Sequence, residues 1–259
     1  DFIKFNMNIK NKTDIIIQAR MGSARLKGKV LKKYKNYTPL KILIERLKKC
    51  KKISNIIICT TKLVEDDRIV DFCKKEKIKF FRGSKNDVLS RYYYCAKKFK
   101  SSEIIRITSD CPLIDYRIIN NMLKLYQTLK VDYYANTYPL PTTYPDGMDI
   151  EIFNFSTLEK TFYYAALPSE REHVTPYMYN SKKFKIKRKE LKKDISKLRF
   201  CIDYQSDFNF FVKLIKYFKN RIYDISMLDL VSHVKKKPKL IYYQKKIVRN
   251  QGWYSSLKK

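Results

Sequence analysis

Residues 15–30 read IIIQARMGSARLKGKV. The apolar run Ile15–Ala19, broken only by Gln18, reads as a buried strand. It ends in a polar loop that carries Gly22, Gly28, Arg20, Arg25 and Lys29 ahead of the next helix. Glycine lets a backbone approach a ligand closely and offers its N–H to anions. Arginine and lysine add charge-assisted contacts to phosphate oxygens. The chain has only 5 glycines, so two in one such loop mark it for phosphate binding. It is not a Walker A loop, because the glycines bracket five residues rather than four and Val30 stands where Ser or Thr would meet Mg²⁺. Nor does it read GxGxxG.

Working outward, short apolar runs alternate with helical periodicity. Leu40, Leu43, Ile44 and Leu47 give one apolar helix face. Residues 56–60, 78–81, 103–108 and 131–135 read as strands, and 66–77, 88–99 and 114–129 as helices. This βαβαβα order predicts an α/β fold with a mostly parallel sheet and helices on both faces. After Asn136 the prolines 139, 141 and 145 interrupt the pattern. A strand is predicted over 149–153, and a helix over 156–166 opened by a capping box Ser156-x-x-Glu159. A short helix over 169–179, strands over 184–187 and 198–203, and helices over 208–218 and 225–234 complete the reading. The organisation predicted is an N-terminal extension (1–12), one domain (13–235) with an insertion near 136–190, and a basic C-terminal tail (236–259).

The 259 residues carry 57 Lys and Arg against 25 Asp and Glu, a formal net charge of +32. Hydrophobic residues make up 44 %, enough for a core, which excludes global disorder. The charge suits a Lys-rich solvated surface, with an anionic ligand compatible. The cysteines at 50, 59, 73, 95, 111 and 201 show no CxxC or zinc spacing and read as reduced, in a cytoplasmic protein. With two histidines a His-rich metal site is excluded. No apolar stretch reaches the roughly 18 residues of a membrane span.

Two further segments place a carboxylate at a strand end, where ligands of open parallel sheets bind. In RITSDCPLID (106–115) it is Asp110, beside Ser109, and in LRFCIDYQSDF (198–208) it is Asp203. Mg²⁺ uses one or two carboxylates plus substrate phosphates, so the pair could share one ion. Structural roles compete: a turn or cap for Asp110, and helix N-terminal electrostatics for Asp203, which suits Asp207 equally.

Together with GSKNDVLSRY (83–92), YPDGMDIEIF (144–153) and SEREHVTPY (169–177), these segments resemble the cytidylyltransferase superfamily, and within it the branch named for spore coat polysaccharide biosynthesis protein F. CMP-sialic acid and CMP-Kdo synthetases are relatives of that branch. The resemblance spans about residues 13–220. It implies a Rossmann-like (GT-A-like) three-layer α/β/α fold, CTP as nucleotide donor, Mg²⁺ and a homodimer, with the insertion serving dimerisation and substrate binding. Carried across by motif, Ala19, Arg20, Gly22, Ser23, Arg25, Lys29 and Ser109 line the nucleotide, and Arg20 and Lys29 act on its phosphates. Asp110 and Asp203 are then the metal ligands, and Arg82, Gly83, Ser84 and Asp87 approach the base or ribose. Asp146, Gly147, Asp149, Glu151, Arg171, Glu172 and His173 form the acceptor pocket, with Arg171 clamping a sugar carboxylate and His173 serving as general base.

The competing reading of the last three is a capping box Ser169-x-x-Glu172 on an interface helix. Lys27 stands where the family pattern has proline, and the glycine that usually precedes Pro39-Leu40 is absent. Neither change removes a proposed ligand. The activity implied is CTP-dependent formation of a CMP-activated acidic sugar for surface polysaccharide, with release of pyrophosphate. Two other classes stay in view. A GT-A glycosyltransferase would need an Asp-x-Asp site, which neither Asp66-Asp67 nor Ser109-Asp110 supplies. A nucleic-acid-binding protein would use the basic segment 235–259, and nucleic acid is the less expected partner.

Overall fold

Ile15, Ile16 and Ile17 have no exposed surface, and they divide between two separate apolar clusters on opposite faces of their strand. That alternation decides the architecture, because a strand buried on both faces must be covered by helices on both. Each such side chain contributes about 1.5–3 kcal/mol relative to exposure. A computed structural model describes residues 12–249 and 251–256; the predicted N-terminal extension lies outside them except for Lys12.

The chain runs β1 (Thr13–Gln18), α1 (Pro39–Leu47), β2 (Asn55–Thr61), α2 (Asp67–Lys75), β3 (Lys79–Gly83), α3 (Val88–Phe99), β4 (Glu103–Thr108) and α4 (Tyr116–Tyr126). It continues through β5 (Tyr133–Ala135), β6 (Glu151–Asn154), α5 (Phe155–Tyr164), α6 (Pro168–His173), α7 (Pro176–Asn180) and β7 (Ile186–Arg188). The last elements are α8 (Gln205–Phe218), α9 (Met227–Lys236), a 3-10 segment Pro238–Lys246 and α10 (Gln251–Ser256). The 7 strands form one sheet in the order β3-β2-β1-β4-β6-β5-β7. Only β6 runs antiparallel to its neighbours.

Ile15 and Ile17 pack with Leu40, Leu43 and Ile44 of α1 and with Ile119 and Met122 of α4. Ile16 packs on the other face with Leu89, Tyr92 and Ala96 of α3 and with Leu158 of α5. The layers are therefore α/β/α. Helices α8 and α9 build a third cluster beside them. Arg46, fully buried, bolts that unit on by donating to the carbonyls of Leu113, Ile114, Ile222 and Ile225. Tyr92 and Tyr93 are buried, and Tyr93 stacks on Phe162 at 4.2 Å, so both pack the core.

The structure differs from the sequence reading in several places. Asn154, not Ser156, caps α5, accepting from the N–H of Thr157 at 2.8 Å. The box Ser169-x-x-Glu172 does not form: Leu167 is the cap position of α6, and Glu170 accepts from its N–H at 3.2 Å. The single helix over 169–179 is two, broken at Val174 (φ 74), because Pro176 has no N–H to continue the ladder. Residues 198–203 form no strand of the sheet: a bridge pairs Arg199 with Asp146, and Ile202 donates to the carbonyl of Asp110 at 2.8 Å. The segment 136–190 is woven into the sheet, since it supplies β6, which lies between β4 and β5, and then β7.

Candidate active site

From β1 the chain goes to β2 and β3 on one side, then crosses to β4 on the other. The loops after β1 and β4 therefore diverge, and a crevice opens at their carboxyl ends. A cleft of about 550 Å³ occupies it.

The loop after β1 is shaped by its own backbone. Ser23 and Gly28 both donate to the carbonyl of Met21, at 2.9 and 2.8 Å, and Asp66 accepts from the N–H of Met21 at 2.6 Å. Gly28 turns with φ 68, a left-handed conformation that a side chain would strain, and delivers Lys29 into the cleft. The Lys29 ammonium lies 3.0 Å from Asp110 Oδ2 and 2.8 Å from Asp203 Oδ1. Arg25 reaches Asp203 Oδ1 at 2.7 Å and Arg199 reaches Asp203 Oδ2 at 2.7 Å. Burial works against every one of these charges. Asp110 and Asp203 outweigh it at Lys29, holding the ammonium above the ordinary lysine range. At Asp110 burial is likewise outweighed by Lys29, and at Asp203 by Lys29, Arg199 and Arg25, so both carboxyls stay below the usual range.

Ala19, Arg20, Ser23, Arg25, Lys29, Ser109, Asp110 and Asp203 thus share one cleft. Gly22 lies outside its lining, backed against Glu65. Arg82, Gly83 and Ser84 are at the far end of β3 and line a separate hollow. Arg82 is occupied there by Asp67 (2.7 Å) and by the carbonyls of Thr61 and Leu63. Asp87 caps α3, accepting from the N–H of Ser90 at 2.8 Å.

The opposite wall holds Tyr138, Asp146, Asp149, Glu172 and His173. Asp146 is ion-paired with Arg199. Gly147 (φ 95) lets the chain pass so close that a Cβ there would lie 2.6 Å from the Cys201 nitrogen. Asp149 pairs with Arg249 at 3.0 Å, and burial pushes its carboxyl up to about 6 against the pull of that arginine. His173 is driven the other way, to about 4, by burial and then by the charges of Arg106 and Arg20. Its Nε2 is buried with no hydrogen-bond partner among the described residues, and its ring meets Trp253 edge-on at 5.1 Å.

Two acceptor-side residues lie elsewhere. Glu151 is buried beneath the cleft, held by Arg106, Tyr133 and Thr175. Arg171 is outside the cleft lining: both Nε and Nη2 donate to Asp87, and Nη1 to the carbonyls of Phe162 and Ala165. It therefore braces α3 against α5. Arg171→Lys keeps the charge and loses the fork, so we expect a stability loss of about 1–3 kcal/mol. Thermal melting read beside acceptor kinetics checks this: a raised KM for the acceptor with an unchanged melting temperature would return Arg171 to the substrate.

Sequence reasoning passed over Arg106, whose guanidinium lines the cleft and donates to Gln18 at 3.0 Å. The available signal was a cation in the otherwise apolar strand EIIRIT, since such a charge is rarely buried without a partner. It also missed Ile247, Val248, Gln251 and Trp253, which the C-terminal segment lays along the cleft.

An open α/β sheet with a cationic loop and two carboxylates at its switch point suits an anionic ligand such as a nucleotide. A cytidylyltransferase family model matches residues 15–251, and the chain belongs to that family and is a nucleotidyltransferase. It is 36 % identical over 228 residues to the uncharacterized protein MJ1063 of Methanocaldococcus jannaschii, covering 87 % of this chain and 91 % of the other. It is 36 % identical over 170 residues to the spore coat polysaccharide biosynthesis protein SpsF of Bacillus subtilis, covering 64 % and 69 %. A solved cytidylyltransferase of Leptospira borgpetersenii superposes with a TM-score of 0.84 at 38 % identity, over 92 % of this chain and 99 % of that one.

Proposed function

We propose that this enzyme transfers the cytidylyl group of CTP to a hydroxyl of an acidic sugar, of the nonulosonate or Kdo-like class, for surface polysaccharide synthesis. The observation that carries the reading is the Lys29 ammonium shared by Asp110 and Asp203 in the switch-point cleft. Three cationic side chains, Arg20, Arg25 and Lys29, stand on one side of that cleft.

The acceptor oxygen attacks the α-phosphorus, the bond to the β-phosphate oxygen breaks, and pyrophosphate leaves with its electron pair. Arg20 and Arg25 bind the phosphates, and Lys29 stabilises the charge that develops on them. On the acceptor side Asp149 lines the cleft with its carboxyl raised by burial to about 6, and we assign it, in place of His173, to take the hydroxyl proton. His173 is held neutral by burial and by the charges of Arg106 and Arg20, and its Nε2 has no hydrogen-bond partner among the described residues. Glu151 fixes Arg106, which orients Gln18 in the floor.

The donor chemistry fits Mg²⁺. Two converging carboxylates, Asp110 and Asp203, offer oxygen ligands, and no group of three or more His, Cys, Asp or Glu among the described residues suits a metal that needs a full protein cage. Held there, the ion would neutralise phosphate charge. We further read the protein as a cytoplasmic homodimer. None of its six cysteines is in a disulfide, and no helix among the described residues is long and apolar enough to cross a membrane. Tyr94, Tyr163 and Tyr164 expose an aromatic face that suits a second copy.

Thermal melting tests the nucleotide. CTP with Mg²⁺ should raise the melting temperature more than ATP, GTP or UTP, because a ligand bound only to the native state stabilises it by mass action. Equal shifts for all four would leave phosphate binding and remove the cytosine assignment.

A further inference from the structure

The segment 198–203 bears Asp203 yet has a sheet-like neighbour on one side only. Leu198 accepts from the N–H of Asp146 at 2.9 Å, and Phe200 and Ile202 donate to the carbonyls of Asp146 and Asp110 at 2.7 and 2.8 Å. In an extended chain the backbone groups of successive residues point to alternate sides. Residues 198, 200 and 202 therefore face Asp146 and Asp110, and Arg199 faces away, where no strand of the described residues lies. Buried peptide groups need partners. One side chain supplies both: the Arg199 N–H donates to Gln244 Oε1 at 3.2 Å, and Gln244 Nε2 donates to the Arg199 carbonyl at 2.7 Å. Gln244 is 8 % exposed and belongs to the 3-10 segment after α9, in the part of the chain that composition marks only as basic.

The clamped residue is the one that orients Asp203. The Arg199 guanidinium, itself 6 % exposed, sits among Asp146, Asp203 and Asp207. It holds Oδ2 of Asp203, which leaves Oδ1 turned toward Lys29 and Arg25. Asp207 completes the frame by accepting from the N–H of Asp203 at 2.8 Å, and Tyr243, next to Gln244, donates to Asp207 at 3.2 Å.

We propose that Gln244 is a positioning residue of the active site: by gripping the backbone of Arg199 it fixes the carboxylate of Asp203 for the metal-bound nucleotide. The proposal rests on the reading of Asp203 as a metal ligand. Gln244 touches neither substrate nor metal, and its effect passes through Arg199.

Gln244→Met keeps the shape and removes both hydrogen bonds. Mn²⁺ serves as the paramagnetic probe, titrated with CTP and no acceptor and followed by water-proton relaxation. Groups behind metal ligands change affinity by about 10–100-fold, so the Mn²⁺ dissociation constant should rise at least about tenfold, with kcat falling in step. Gln244→Glu keeps the acceptor oxygen for the Arg199 N–H and should lose less. If Gln244→Met does not fold, the comparison of Gln244→Glu with the parent decides. Unchanged Mn²⁺ affinity in the variant that folds, even with a lowered melting temperature, overturns the proposal and leaves Gln244 a structural clamp. Asp203→Asn is the control: if it binds Mn²⁺ as tightly as the parent, the assignment of Asp203 is what fails.

Discussion

Lys29→Met is expected to lose about 10²–10³-fold in turnover, the usual cost of removing one preorganised donor to developing charge. It should also destabilise the fold. Removing one member of a buried ion pair costs about 3–5 kcal/mol, and the lower end applies because Arg25 and Arg199 remain on Asp203. The pH dependence gives the sign. In the parent, both carboxyls lie below the ordinary 3.8, so their stabilisation is present above that value and is lost as pH falls through the depressed ones. Without the ammonium, burial and the neighbouring carboxylate raise Asp110, and a raised carboxyl stabilises only while protonated. The stability gap between parent and variant should therefore widen from about pH 4 to about pH 7, the side on which a free carboxyl is charged. Melting curves across that range check it, and a gap that narrows toward neutrality would mean that Lys29 does not hold the two charges together.

Asp110→Asn and Asp203→Asn should each lower turnover by at least about 10²-fold, with the double variant close to either single one. The reason is geometric: both carboxylates meet one ammonium at 3.0 and 2.8 Å, so losing either dissolves the same centre. Asp203→Asn should also melt lower than Asp110→Asn, because Asp203 alone binds Arg25 and Arg199 as well as Lys29. Steady-state kinetics of the three variants, each checked for folding, decides the point. Losses that multiply would show two independent roles.

The half of the site nearest β1 was legible because its determinants are local. A β-strand of three isoleucines, a glycine that needs φ 68 and the basic residues between them all fall within sixteen consecutive positions. Strand-end aspartates are legible for the same reason, since a parallel sheet brings its carboxyl ends together whatever the loops contain. The acceptor side was not. Arg171 looked like a clamp because its chemistry suits one, but its partner Asp87 lies 84 positions earlier, and nothing in either segment announces the pairing. Glu172 was explained by a capping box that Pro168 and Leu167 displaced by moving the helix start. Residues 198–203 have the apolar alternation of a strand and are extended, yet whether they join a sheet depends on which chain lies beside them. That neighbour is one amide side chain, which periodicity does not detect.

The placement of residues 244–253 has a consequence for how the enzyme is made. Chains leave the ribosome from the N-terminus, and domains fold as units as they emerge. The last strand of the sheet ends at Arg188, so the sheet and the loop bearing Lys29 are complete while the C-terminal segment is still being synthesised. Asp203 emerges next, with the backbone of Arg199 unclamped until Gln244 follows. The nascent chain therefore carries the sheet and the Lys29 loop before the clamp on Arg199 exists, and the frame around Asp203 closes only once Gln244 has emerged. Removing residues from Gln244 onward would take away both hydrogen bonds on the Arg199 backbone while leaving every described strand of the sheet in place.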